Sequence, residues 1–103
     1  MTELRDHQDR TIRLTGERKA HILGHPEMAG LSAEMARTVR EPEQVVRSRS
    51  DPAASLFYRW LPESMVGGKW LCVVVKYEEN DAFVVTAYLT DQPKSGEDLW
   101  PTK

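Results

Sequence analysis

The chain is poor in cysteine. Only Cys72 among its 103 residues carries a thiol, which excludes an intramolecular disulfide and a metal site built from cysteines. Cys72 lies inside an apolar run, where nothing lowers a thiol pKa, so it reads as a small buried hydrophobe rather than a nucleophile. Long hydrophobic runs are missing too. Stretches such as Leu71–Val75 are short, whereas a helix that spans a bilayer needs roughly 20 apolar residues. Met1–Arg10 is polar, carries Glu3, Asp6 and Asp9, and has no apolar centre of a secretory signal. A cytoplasmic protein without a membrane partner is the expectation.

There is no basic excess either. Fourteen Lys/Arg face sixteen Asp/Glu, for a formal charge of −2. Phosphate contacts dominate nucleic-acid affinity, so any RNA contact has to come from a local cluster and not from the global field. No phosphate-cradling GxxxxGK[ST] loop is present, and Gly67-Gly68 reads as a hinge between strands. No serine elbow is present.

Hydrophobic residues make up 40% and charged residues 29% of the chain, an ordinary globular balance for one domain. Residues 1–10 read as a polar arm, 11–100 as a single domain and 101–103 as a tail. Thr11-Ile12-Arg13-Leu14 alternates polar and apolar and predicts a short edge strand. Thr15 fits a helix N-cap with Glu17 in the first turn, and Gly24 and Pro26 stop that helix after Leu23. Met28, Leu31, Met35 and Val39 form one apolar stripe, which predicts a second helix ended by Pro42.

The period then changes. Glu43–Ser48 and Ser55–Leu61 predict strands, separated by a turn at Ser50-Asp51-Pro52. Lys69–Tyr77 and Ala82–Thr90 are rich in β-branched and aromatic residues and predict a hairpin across Glu78–Asp81. A four-residue connection pairs Tyr77 with Ala82. A regular hairpin then places Thr86 and Tyr88 on the face of Leu71, Val73, Val75 and Tyr77, whereas a three-residue connection would slip the register and swap these partners. Asp91–Lys103 is polar and has no period. Helices followed by antiparallel strands point to an α+β fold, with two N-terminal helices packed on an antiparallel β-meander.

Several residues are chemically suggestive. His21 and His25 stand four apart and near Glu27, a weak metal pattern that Gly24 and Pro26 interrupt. Either histidine suits proton transfer near neutral pH. Arg59 sits in the apolar run Leu56–Leu61 and needs water, a carboxylate or a phosphate. Lys76 closes Val73-Val74-Val75. Thr86 and Tyr88 put two hydroxyls on one strand face, and Trp60, Trp70 and Trp100 are the right type to stack on bases.

The segments HILGHPEM, VREPE, SLFYRW, GGKWLCVVVK and DAFVVTAYLTD together resemble small bacterial and phage-associated proteins. These belong to the barnase–EndoU–colicin–RelE-like nuclease superfamily. The resemblance runs from Thr11 to Trp100, and the KWLCVVVK…DAFVVTAYLTD block is its most specific part. It implies a barnase/RelE-like fold. It also implies a metal-independent ribonuclease of toxin or phage-effector type, needing no cofactor. By that resemblance His21 or His25 transfers the proton, Arg59 and Lys76 neutralise the phosphate, and Thr86 and Tyr88 line the site. RNA and a cognate inhibitor protein are the implied partners. The alternative is a non-catalytic interaction module on a degraded nuclease fold, a homodimer through its sheet edge or open apolar face.

Overall fold

The computed structural model describes residues 2–101. Ten elements follow one another: β1 (Thr2–Arg5), β2 (Thr11–Leu14), α1 (Gly16–Leu23), a 3-10 turn (Pro26–Met28), α2 (Ser32–Arg40), β3 (Gln44–Arg47), β4 (Ala54–Leu61), β5 (Lys69–Glu78), β6 (Asp81–Thr90) and β7 (Asp98–Trp100). The strands form one seven-stranded sheet in the order β1-β2-β6-β5-β4-β3-β7. Every pair is antiparallel except β2 with β6, which is parallel.

The helix signals act as local chemistry dictates. The Thr15 hydroxyl accepts the Arg18 N–H at 3.1 Å, and the Gly24 N–H closes α1 on the Ala20 carbonyl at 3.0 Å. The stripe from Met28 to Val39 is not one helix. Gly30 takes a left-handed φ of 79°, which splits Met28 into the 3-10 turn and leaves α2 to begin at Ser32. Met28, Met35 and Val39 are buried in the same core all the same.

That core lies between the helices and one sheet face. Ile12, Phe57, Leu71, Val73, Val75 and Val84 meet Ile22, Met28, Met35 and Val39 there. Val46, Leu56, Tyr58 and Cys72 form a second buried cluster on the other face. The segment after β6 straps across this cluster. The Lys94 N–H donates to the Tyr58 hydroxyl at 3.0 Å. Gly96 lies so close to the sheet that a Cβ there would stand 2.7 Å from Val46 Cγ1 and 2.9 Å from the Arg47 carbonyl. Only glycine lets the strap approach this near.

Two helices on a meander are therefore not what forms. Strands precede the helices as well as follow them, one pair is parallel, and the sheet dominates. The polar arm is the edge strand β1, paired from Thr2↔Leu14 to Arg5↔Thr11. The aperiodic tail contributes β7, which pairs with β3 on the opposite edge. Both terminal strands are held by distant partners. The Tyr77 hydroxyl donates to Asp6 at 2.7 Å, and Arg47 bonds Glu97 at 3.0 Å.

The hairpin opens with Tyr77 opposite Ala82 and Val75 opposite Val84. The register then shifts, and Val74 lies opposite Thr86. Val85 is the extra residue of a β-bulge. Beyond it the faces exchange: Ala87 joins the helix-covered core, while Tyr88 packs on the second cluster. Thr86 and Tyr88 thus lie on the face away from the helices, contrary to the regular register. Deleting Val85 is expected to leave Thr86–Thr90 on their present faces, since Val74↔Thr86 then continues the ladder without a bulge. Deleting Ala87 instead turns Tyr88 into the core and Leu89 out of it. Urea unfolding should show a loss of about 1 kcal/mol for the first deletion and no cooperative transition for the second. Equal stability of the two variants would contradict this register.

No helix among the described residues is long and apolar enough to cross a membrane.

Candidate functional site

Helix α1 buries Ile22, while Arg18 and His21 are exposed. His25 follows the Gly24 cap, and its N–H donates to the Ile22 carbonyl at 3.3 Å. Arg18 and His21 stand one turn apart on α1, whereas His25 lies beyond the helix with extended backbone (φ −75°, ψ 128°). The two imidazole rings stand edge-to-face with centroids 5.5 Å apart. Both histidines are exposed.

Thr15, Glu17, Arg18 and His21 line a hollow of ≈ 400 Å³. Thr15 and Arg18 also line a smaller hollow of ≈ 170 Å³ with Arg13, Phe83, Val84 and Val85. The two run together as one strip from α1 to the bulge in β6. Arg13 is tied at its far end. It donates two hydrogen bonds to Asp81, at 2.8 and 2.6 Å, and its guanidinium lies 5.6 Å from the Phe83 ring centroid. The Arg13 hydrogen bonds hold the Asp81 carboxyl below the usual carboxylate range. Arg18 has no ion pair among the described residues, so its charge remains for an anion.

The structure brings His21 and His25 together but does not gather the other expected site residues around them. Arg59 lies on the helix-covered side of β4 and donates to the Glu41 carbonyl at 2.6 Å. It lines a separate groove of ≈ 570 Å³ with Leu31, Glu34, Arg37 and Trp60. Lys76, on the second face, pairs with Asp51 at 3.1 Å. Neither strand is a sheet edge, so neither cation is there to blunt one. Thr86 and Tyr88 face away from α1 because of the bulge. Tyr88 stands in a row with Cys72 and Tyr58, and burial pushes its phenol up. The expected cleft uniting His21, Arg59 and Thr86 does not form.

Cys72 is fully buried, and burial pushes its thiol up to about 11, the environment of a packing residue. Trp60 and Trp70 pack edge-to-face at 5.6 Å instead of presenting parallel stacking surfaces. Among the described residues no three His, Cys, Asp or Glu side chains gather as metal ligands, His21, His25 and Glu27 included.

Sequence reasoning passed over Arg18. Its signal was present, one turn before His21 on the same helical face. It also passed over His7, Arg10 and Arg47, which meet only in the folded chain. Comparison of the chain with family models, curated proteins and solved structures gives no match.

Proposed function

We propose that this protein cleaves RNA by acid–base catalysis at the His21–His25 pair, with Arg18 holding the scissile phosphate. The observation that carries this reading is the pair of exposed imidazoles 5.5 Å apart, with Arg18 one turn before His21 on α1. The resemblance of the HILGHPEM segment to ribonucleases supports it, and the reading does not need the overall fold of that group.

The chemistry follows from the side chains. One neutral imidazole takes the proton of the ribose 2′-hydroxyl. The 2′-oxygen attacks phosphorus, the bond to the 5′-oxygen breaks, and the second imidazole, protonated, donates to that leaving oxygen. The products are a 2′,3′-cyclic phosphate and a free 5′-hydroxyl. Arg18 meets the charge that builds on the phosphoryl oxygens. Glu17, four residues before His21, opposes the anion but is spaced to hold an imidazolium.

The test uses a defined RNA with EDTA present. Wild-type protein is expected to release cyclic-phosphate ends, and a 2′-deoxy substitution at the cleaved position should block the reaction. His21→Ala and His25→Ala should each slow it by about 10²- to 10⁴-fold, with Arg18→Ala acting mainly on substrate binding. Intact RNA after incubation with wild type, or cleavage by His21→Ala at the wild-type rate, would refute the proposal.

A second reading, an interaction module, draws on one observation. Trp60, Met65 and Val66 are 41%, 71% and 52% exposed at the β4–β5 connection, and Trp60 borders the α2 groove. Self-association or partner capture lost in Met65→Ser, with no cleavage by wild type, would favour it.

A further inference from the structure

A pocket of ≈ 400 Å³ lies where the two ends of the chain meet and shares no residue with the α1 strip. The Asp6–Arg10 turn supplies His7, Gln8 and Arg10, and the sheet supplies Arg47, Ser55 and Tyr77. Phe57, fully buried, and Leu99 add apolar wall.

Its polar groups are underused. His7 Nδ1 is the one buried side-chain nitrogen or oxygen without a hydrogen-bond partner among the described residues. Native structures leave few such atoms, and each calls for an explanation. The half-buried Ser55 hydroxyl has no partner among the described residues either, and Gln8 is exposed at the rim. Arg10 spends only Nε on Asp6, at 2.8 Å, and lies 4.3 Å above the Tyr77 ring. Arg47 spends Nε on Glu97 and Nη1 on the Pro52 carbonyl, both at 3.0 Å. Each guanidinium therefore keeps donors in reserve.

The wall that carries these groups is rigid. Asp6 is fully buried and binds the N–H groups of Gln8 and Arg10 at 2.9 Å each, besides the Arg10 side chain and the Tyr77 hydroxyl. A site ordered before the ligand arrives loses less conformational freedom on binding. His7 is itself wedged against Phe57 and Trp100, with ring centroids at 5.7 and 5.3 Å. Burial favours its neutral form, Asp6 opposes that and Arg10 adds to it, so it offers one donor and one acceptor nitrogen. Glu97 is an exposed carboxylate already seated on Arg47, in the place an incoming anion would take.

We propose that this pocket binds a small phosphate ester, with the phosphate between Arg10 and Arg47 and the hydroxyls of its body on His7, Gln8 and Ser55. Two guanidinium forks suit a multi-oxygen dianion better than a single carboxylate. The cavity also has room for more than the phosphate. The proposal is independent of the ribonuclease reading, since the two sites share no side chain.

Inorganic phosphate and ribose 5-phosphate are the probes, titrated into the full-length protein. His7 ring resonances and Trp100 fluorescence are the readouts. Both probes should produce a saturable change, with ribose 5-phosphate the tighter by about tenfold. Arg47→Gln should weaken both by about tenfold or more. Ser55→Ala should reduce the advantage of the sugar and leave inorganic phosphate unchanged. Glu97→Gln removes the carboxylate charge that competes for Arg47 and should tighten both. The unliganded melting midpoints of the Arg47 and Glu97 variants check that they fold. A change that never saturates with either probe overturns the proposal. So does wild-type affinity in Arg47→Gln, which would mark the effect as general ionic screening. Ser55→Ala weakening both probes alike overturns the assigned orientation.

Discussion

Asp6→Ala is expected to destabilise the protein by about 3–5 kcal/mol, much of its whole stability. The carboxylate is fully buried and accepts from two backbone N–H groups, the Arg10 side chain and the Tyr77 hydroxyl. Alanine leaves these donors to find water or go unpaired. Asp6→Asn should cost less, about 2–3 kcal/mol, because one oxygen can still accept the Gln8 and Arg10 N–H groups. Its amide nitrogen, however, then faces Arg10 and the Tyr77 hydroxyl. Urea unfolding at neutral pH measures both variants.

Acid provides a further check. Burial alone would raise the Asp6 carboxyl, but the Arg10 N–H, the Tyr77 hydroxyl, the Gln8 N–H and the Arg10 charge together outweigh it and hold it below its ordinary value. The folded state thus binds the proton less tightly than the unfolded chain does. The stabilisation is present above the ordinary carboxylate range and is lost as pH falls through the folded value. Asp6→Asn should flatten this acid limb. Wild-type stability in Asp6→Ala would show that the N-terminal turn is not tied to the sheet.

Alkali is expected to unfold the protein by ionising buried groups on both sheet faces: burial and Asp6 push Tyr77 up on one, and a row of three titratable side chains lies on the other. Tyr58, Cys72 and Tyr88 form a cross-strand row on β4, β5 and β6. Burial pushes Tyr58 up to about 12 and Cys72 up to about 11, and Tyr88 rises for the same reason. These groups fold neutral. Their folded values exceed their unfolded ones, so the stabilisation is complete below the unfolded values and lost as pH climbs through the folded ones. Each unit is worth about 1.4 kcal/mol. The row as a whole should forfeit on the order of 5 kcal/mol between roughly pH 9 and 12. The three groups titrate as a coupled set, in steps that the first anion spreads apart because it disfavours the next.

Tyr58→Phe keeps the ring but loses the Lys94 N–H bond that pins the strap, at about 1 kcal/mol near neutral pH. It should flatten the alkaline limb above pH 10, and Cys72→Ala should flatten its lower part. Unfolding midpoints across this range, with tyrosinate absorbance followed in parallel, provide the test. Unchanged slopes in both variants would mean that the row is hydrated and not buried.

The histidine pair was legible in the sequence because both residues lie within one local unit. Thr15, Glu17, Gly24 and Pro26 specify where α1 starts and stops; helical geometry then sets Arg18 against His21, and the Gly24 cap brings His25 back beside it. Arg59, Lys76, Thr86 and Tyr88 stand out by residue type on strands, and residue type does not say which face a strand presents. Arg59 and Lys76 turned out to satisfy structural partners, Glu41 and Asp51. The face of Thr86 depended on a single inserted residue. Val84, Val85 and Thr86 are all good strand formers, so nothing in their order marks the bulge.

The amino-acid sequence by itself determined the hairpin at Lys69–Thr90, the strand at Ser55–Leu61 and the capped helix at Gly16–Leu23. Period-two β-branched runs and Thr/Gly caps are short-range signals that hold in almost any surroundings. Tertiary structure alone decided that both chain ends become sheet edges, that a strap covers the second face, and that His7, Arg10 and Arg47 share a pocket. β1 and β7 are four and three residues long, too short and too polar to show a period. Their stability comes from partners far away in the chain: Asp6 from Tyr77, Glu97 from Arg47, and Gly96 from the space beside Val46. Such contacts exist only once the central sheet has brought the two ends together.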